Sequence, residues 1–217
     1  MTSINRRTAA LSLLTALAGA CAGCAALPQD RLAPSGPSRG RVYLFRGLNG
    51  IFSTGLDAIG RRLAGEGFTV AVMQYDDWPQ ALAEIRGSSS RSPLVLVGHS
   101  WGADDAIRLA QALNAAPVEP IALLLTLDPV EPPTVPANVR AVVDFYQQNF
   151  LLDATPWFHG RPLAVDAPRM TKLENVNLRV DRPDLVTSDL THGNMTLATP
   201  IIHAVIARIE QACARAR

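Results

Sequence analysis

Ser100 sits in Gly98-His99-Ser100-Trp101-Gly102, directly after the apolar run Pro93-Leu94-Val95-Leu96-Val97 and directly before a helical pattern. A serine hydroxyl is a poor nucleophile until a base takes its proton and a carboxylate orients that base. A turn this tight between strand and helix leaves no room for side chains beside the serine. It holds the serine oxygen clear of the backbone at a helix N-terminus, whose positive end favours developing negative charge. Gly-x-Ser-x-Gly alone is common, and its serine can do no more than cap a helix. In a strand–turn–helix context the motif points to an exposed nucleophile.

Four histidines compete for the role of base. His99 lies in the turn itself, where its side chain is expected to point back along the sheet. His203 falls inside the apolar-striped closing segment and reads as a packed or surface residue. His192, in the polar loop Thr191-His192-Gly193-Asn194, faces the rim where the serine emerges and is favoured, with His159 as the rival. For the carboxylate, Asp128 ends the strand that follows the serine helix, which puts it on the same rim. Asp144, Asp153, Asp166, Asp181, Asp184 and Asp189 are the competing acids; Asp189 is near enough to His192 to bond it locally. The bland reading of Asp128-Pro129 is a turn starter.

The elements that must position these residues follow from periodicity. Arg41–Arg46, Phe68–Tyr75, Leu94–Val97, Pro120–Leu127 and Val139–Tyr146 read as strands, with a weaker sixth at Val176–Val180. Helices are expected from Thr54 to near Gly65, from Asp77-Trp78-Pro79 to near Gly87, after Ser100, and over Thr199–Ala214. The serine helix places Ala103, Ala106, Ile107, Ala110 and Leu113 on its core stripe, and the closing helix Ile202, Val205, Ile206 and Ile209. Asp104 and Asp105 are explained by the helix dipole. Strands alternating with helices predict an α/β three-layer sandwich around a mostly parallel sheet of about six strands.

Phe45-Arg46-Gly47-Leu48, the serine turn, Leu127-Asp128-Pro129 and His192 together resemble an α/β-hydrolase of the lipase and esterase kind, from Arg41 to the end of the chain. The order Ser100, Asp128, His192 matches that family's chain order. The resemblance implies a Ser–His–Asp triad cleaving carboxylic esters through an acyl-enzyme, with the backbone N–H groups of Leu48 and Trp101 as the oxyanion hole. The chain departs from the family where Arg46-Gly47 replaces His-Gly. A thioesterase or amidase would use the same residues, and a non-catalytic fold relative would bind a ligand or envelope partner instead. The implied cycle needs no cofactor, and the scattered histidines show no metal-ligand spacing. No large cap domain fits. Residues 147–175 form a long irregular stretch with Phe150, Leu151, Leu152, Trp157 and Phe158, read either as a lid for a small-molecule or lipid ester or as plain packing.

Hydrophobic residues make up 48% of the 217 and charged residues 18%, a globular composition, and the formal net charge of +1 offers nothing to nucleic acid. Arg6-Arg7 followed by apolar Ala9–Ala20 and small residues describes an export signal over residues 1–24. Asn5-Arg6-Arg7 also looks like a twin-arginine motif. Leu17-Ala18-Gly19-Ala20-Cys21-Ala22-Gly23-Cys24 resembles a bacterial lipoprotein cleavage site, implying lipidation of Cys21 or Cys24 and attachment to an envelope membrane. Residues 25–40, rich in Pro, Ser and Gly, read as a flexible tether before the domain at 41–217. With the leader gone, Cys213 stands alone, so no disulfide framework supports the fold.

Overall fold

A computed structural model describes residues 29–48, 50–115, 119–148 and 160–216. The export signal with Cys21 and Cys24 lies outside them, as do His159, Asp153 and the aromatic cluster at 150–158.

Seven strands form one sheet in the order β1-β3-β2-β4-β5-β6-β7. They are β1 (Asp30–Leu32), β2 (Arg41–Phe45), β3 (Thr69–Met73), β4 (Leu94–His99), β5 (Ile121–Leu127), β6 (Ala141–Tyr146) and β7 (Lys172–Asn177). All neighbours are parallel except β1, which runs antiparallel to β3. The architecture is a three-layer α/β sandwich around a mostly parallel sheet, with no large cap domain among the described residues. Two strand expectations need correction. β1 lies inside the stretch read as a tether, with Asp30 opposite Val72 and Leu32 opposite Val70. The last strand runs over Lys172–Asn177, upstream of the expected Val176–Val180, because Leu178–Asp181 coils into a short helix (α4) capped by Asn177.

The remaining helices are α1 (Gly55–Gly65), α2 (Trp78–Gly87), α3 (Trp101–Asn114) and α5 (Thr199–Arg215). α1 and α5 cover one face through Leu56, Ile59 and Leu63 and through Ile201, Val205, Ile206 and Ile209. Ile201 replaces Ile202 as the first buried position of the closing helix, and Ile202 packs at the margin of that core. α2 and α3 cover the other face, where Ala106, Ile107, Ala110 and Leu113 pack on Leu94, Leu96 and Leu124. Every residue of β4 is buried, as its uninterrupted apolar run demands.

The strand order reverses at β2. The chain passes from β2 outward to β3 and then back across to β4 on the other side. The crevice beyond the C-terminal ends of β2 and β4 is therefore the switch point where such sheets place their ligand sites. The turn at Gly47-Leu48 leaves β2 there, and Ser100 leaves β4 there.

Candidate active site

Ser100 links β4 to α3 with φ 58° and ψ −131°, a conformation that L residues rarely adopt and that costs about 1–3 kcal/mol. The flanking glycines are sterically required. A Cβ on Gly98 would lie 2.2 Å from the Gly102 oxygen, and one on Gly102 would lie 2.3 Å from the Arg46 oxygen. The Ser100 N–H donates to the Leu127 carbonyl at 2.9 Å, so the serine turn is tied to the end of the strand that leads into Asp128.

His192 Nε2 stands 2.9 Å from Ser100 Oγ. Its Nδ1 lies 3.3 Å from Asp128 Oδ2, within ion-pair reach though looser than a tight hydrogen bond. Asp128 is fully buried, with φ 46°, immediately after β5. Gln147 serves both its oxygens, donating its backbone N–H to Oδ1 at 2.7 Å and its Nε2 to Oδ2 at 3.1 Å. From α4, Arg179 Nη2 donates to Gln147 Oε1 at 2.9 Å and to the Leu190 carbonyl at 2.7 Å. Arginine only donates, so this contact fixes the Gln147 amide with its NH₂ toward Asp128. The same guanidinium also holds the loop that carries His192. Gly160 closes over Asp128, since a Cβ there would lie 2.4 Å from Asp128 Oδ1. Gln147, Arg179 and Gly160 escape the sequence reading. Gln147 was findable by the logic that found Asp128, a polar residue at the C-terminal end of an inner strand.

On the other side of Ser100, a Cβ on Gly47 would lie 3.0 Å from the serine Cβ, which sets the β2 turn against Ser100. The Arg46 N–H is spent on Met73 O and the Gly47 N–H on Ser53 Oγ, so the next donor along that turn is Leu48. Trp101 opens α3, and first-turn N–H groups face outward from a helix N-terminus. Arg46 itself is buried and pairs with Asp57 of α1, through Nε at 3.2 Å and through Nη2, which anchors the end of β2.

His99 is buried in the turn and bonded at both ring nitrogens. Nε2 lies 3.0 Å from the His192 carbonyl oxygen, and Nδ1 lies 2.7 Å from Ser53 Oγ. A carbonyl only accepts, so the proton resides on Nε2 and Ser53 donates to Nδ1 while accepting from Gly47 N–H at 2.8 Å. Burial, reinforced by the neighbouring His192, pushes the His99 pKa down to about 3 and keeps the ring neutral. This chain of bonds joins the β2 turn, the Ser100 turn and the His192 loop.

The other candidates lie elsewhere. His203 is exposed on α5. Asp189 is exposed and holds Asn194 through its backbone carbonyl, Asp184 pairs with Arg182, and Asp181 accepts from the Asn177 N–H. Asp166 is exposed. Asp144 is buried one strand beyond Asp128, accepts from Thr126 Oγ1 at 2.7 Å, and is pushed well above the usual carboxyl range by burial. Asp104 and Asp105 do more than answer a helix dipole. Asp104 accepts the Glu131 N–H at 2.8 Å and Asp105 the Asp76 N–H at 2.6 Å, so each pins a loop at the rim to α3. Within 147–175, residues 149–159 lie outside the description, and 160–171 is largely exposed but pinned at a few points: Val135 exchanges backbone bonds with Ala164 and Asp166, and Asn175 clamps Leu163.

No family model matches the chain, and no curated protein matches it. Among solved structures, it is similar to the NocB thioesterase domain in covalent complex with a fluorophosphonate nocardicin G analog (14% identity, 82% of this chain and 99% of that one, TM-score 0.47). It is also similar to the esterase domain of a Rhodothermus marinus protein (15% identity, 84% and 91%, TM-score 0.49). Alpha/beta hydrolase domain-containing protein 10 from mouse matches at 12% identity over 87% and 94%, with a TM-score of 0.45.

Proposed function

We propose that this protein is a serine hydrolase of carboxylic esters, with Ser100 as nucleophile, His192 as general base and acid, and Asp128 as the orienting carboxylate. The observation that carries the reading is the continuous line Ser100 Oγ, His192 Nε2, His192 Nδ1 and Asp128 Oδ2, with steps of 2.9 Å and 3.3 Å. Ser100 attacks the ester carbonyl carbon as His192 takes its proton, and Asp128 stabilises the imidazolium. The tetrahedral oxyanion is met by the N–H groups of Leu48 and Trp101 and by the positive end of α3; one such donor is worth about 3 kcal/mol of barrier. The carbon–oxygen bond then breaks, His192 returns its proton to the alcohol, and water repeats the sequence on the acyl-enzyme.

A hydrophobic ester suits the rim. Leu48, Ile51 and Phe52 in and after the β2 turn are exposed, and so is Leu197, whose neighbour Thr196 bonds the Phe52 carbonyl at 3.3 Å. The export reading completes the proposal, with the enzyme held at an envelope membrane by a lipid on Cys21 or Cys24; intact mass of the membrane fraction checks it.

A fluorophosphonate probe tests the core of the proposal. Labelling is expected on the wild type and absent in Ser100→Ala, alongside hydrolysis of nitrophenyl esters. A folded wild type that takes no label overturns it and leaves the binding-protein alternative. A panel of esters, thioesters and amides of varied acyl length then ranks the substrate classes.

A further inference from the structure

We propose a second ligand site at the opposite pole of the molecule, an anion site built around Arg41 that takes a phosphate group. Arg41 opens β2 at the N-terminal end of the sheet and is only 9% exposed. Among the described residues its guanidinium has no carboxylate partner, and Nε and Nη1 meet no hydrogen-bond acceptor. A buried charge is retained at heavy cost unless it is paired. The acids on either side are committed elsewhere. Glu84 accepts from Arg31 at 2.8 Å, and Glu119 accepts from Arg91 at 2.6 Å.

Arg41 forms part of the wall of a polar cavity of about 220 Å³. Arg86, Arg91 and the serine run Ser88–Ser90 share that wall, together with Glu119. Three guanidiniums against one carboxylate leave a positive excess, and the serine hydroxyls can donate as well. Guanidinium forks matched with hydroxyl donors are the chemistry that recognises a tetrahedral, multiply charged oxyanion. A phosphate monoester, free inorganic phosphate and the phosphate of a lipid headgroup all present it. A second cavity of about 160 Å³ flanks Arg41 on its β3 side, but its charged groups Arg31 and Glu84 already neutralise each other. The site is independent of the ester chemistry at the other end of the strands.

Melting of the full chain near neutral pH, titrated with inorganic phosphate against sodium chloride of matched ionic strength, tests the site. Wild type is expected to gain several degrees, saturably, with phosphate and not with chloride. Arg41→Met, which removes the unpaired buried cation, should melt at or above wild type without phosphate and should not respond to it. Arg91→Glu changes a side chain that is 83% exposed, so it leaves the core intact. It should weaken the phosphate midpoint by about tenfold while Ser100 still takes its label. Cosedimentation with phosphatidylcholine vesicles containing phosphatidic acid separates the sources. Arg41-dependent binding to vesicles without a response to free phosphate assigns a lipid headgroup, and a response to free phosphate assigns a soluble ligand. Equal responses from wild type and Arg41→Met overturn the site, as does a wild type that answers neither free phosphate nor vesicles. If Arg41→Met does not fold, Arg91→Glu decides alone, and a midpoint unchanged from wild type overturns the proposal.

Discussion

Both oxygens of Asp128 are occupied by donors from Gln147, which leaves the carboxylate little freedom to turn away from His192. Gln147→Leu keeps the backbone donor and removes the amide. In the proposed mechanism this amide orients the base, so the change should lower kcat about tenfold with KM nearly unchanged in steady-state kinetics. Gln147→Glu puts a second carboxylate against the first. The pair then holds a proton to higher pH, so the acid limb of kcat/KM should move upward. His99 acts at the same scale through the His192 backbone. His99→Leu leaves the His192 carbonyl and the Ser53 hydroxyl without their partner and should cost about tenfold in kcat. The neutral ring carries no charge above about pH 3, so the same variant should leave the acid limb where it is in wild type. An acid limb displaced in His99→Leu would show that His99 titrates with the site.

At the scale of elements, the parts of the site that can be read from the chain are those with a local signal. The run Leu94–Val97 and the two glycines around Ser100 dictate a strand and a turn with no room for side chains, and the structure has both. Asp128 and His192 follow from chain order, because strand ends and the loops beyond them share one rim. Contacts made across sequence have no such signal. Ser53 reaches His99 over 46 positions, and Arg179 reaches Gln147 over 32. The pleat of β7 is hidden in the sequence by its polar Glu174, Asn175 and Asn177, Asn175 being turned to clamp Leu163. Asp104 shows the same limit. In the sequence it is a first-turn acid, yet its buried carboxylate ties α3 to the loop after β5 through the Glu131 N–H. Burial pushes its pKa up to about 6. The folded chain thus holds a proton that the unfolded chain has released, and the stability this contributes is full below about pH 4 and lost as pH rises through about 6. Asp104→Asn keeps an acceptor for Glu131 and removes the titration. Urea melts should show its stability rising relative to wild type between about pH 4 and pH 6, then running parallel to it.

For the molecule as a whole, the sheet fixes which functions share a side. The β2 turn, Ser100, Asp128 and His192 all gather at the C-terminal ends of the strands because the parallel order reverses between β3 and β4 around β2. The antiparallel β1 covers the outer edge of β3 and brings the chain in from that same side. Gln29, just before it, donates to Asp77 Oδ2 at 2.7 Å at the start of α2. Alternation along β1 then does two jobs. Leu32 packs against the α1 and α5 core, and Arg31 crosses to Glu84 of α2 on the other face. The segment read as a tether is therefore part of the folded unit from Asp30 onward, a fact hidden by its Pro, Ser and Gly content and by the brevity of a three-residue edge strand. A protein beginning at residue 29 should melt with the full chain. One beginning at residue 38 loses the strand, the Leu32 packing and a surface ion pair of small value, about 2 kcal/mol together, or a fall of about 4–8 °C in Tm. It also bares the β3 edge, so size-exclusion chromatography should show association that the longer form lacks. Equal melting temperatures for the two forms would mean that β1 contributes nothing and that the chain before Arg41 is a tether after all.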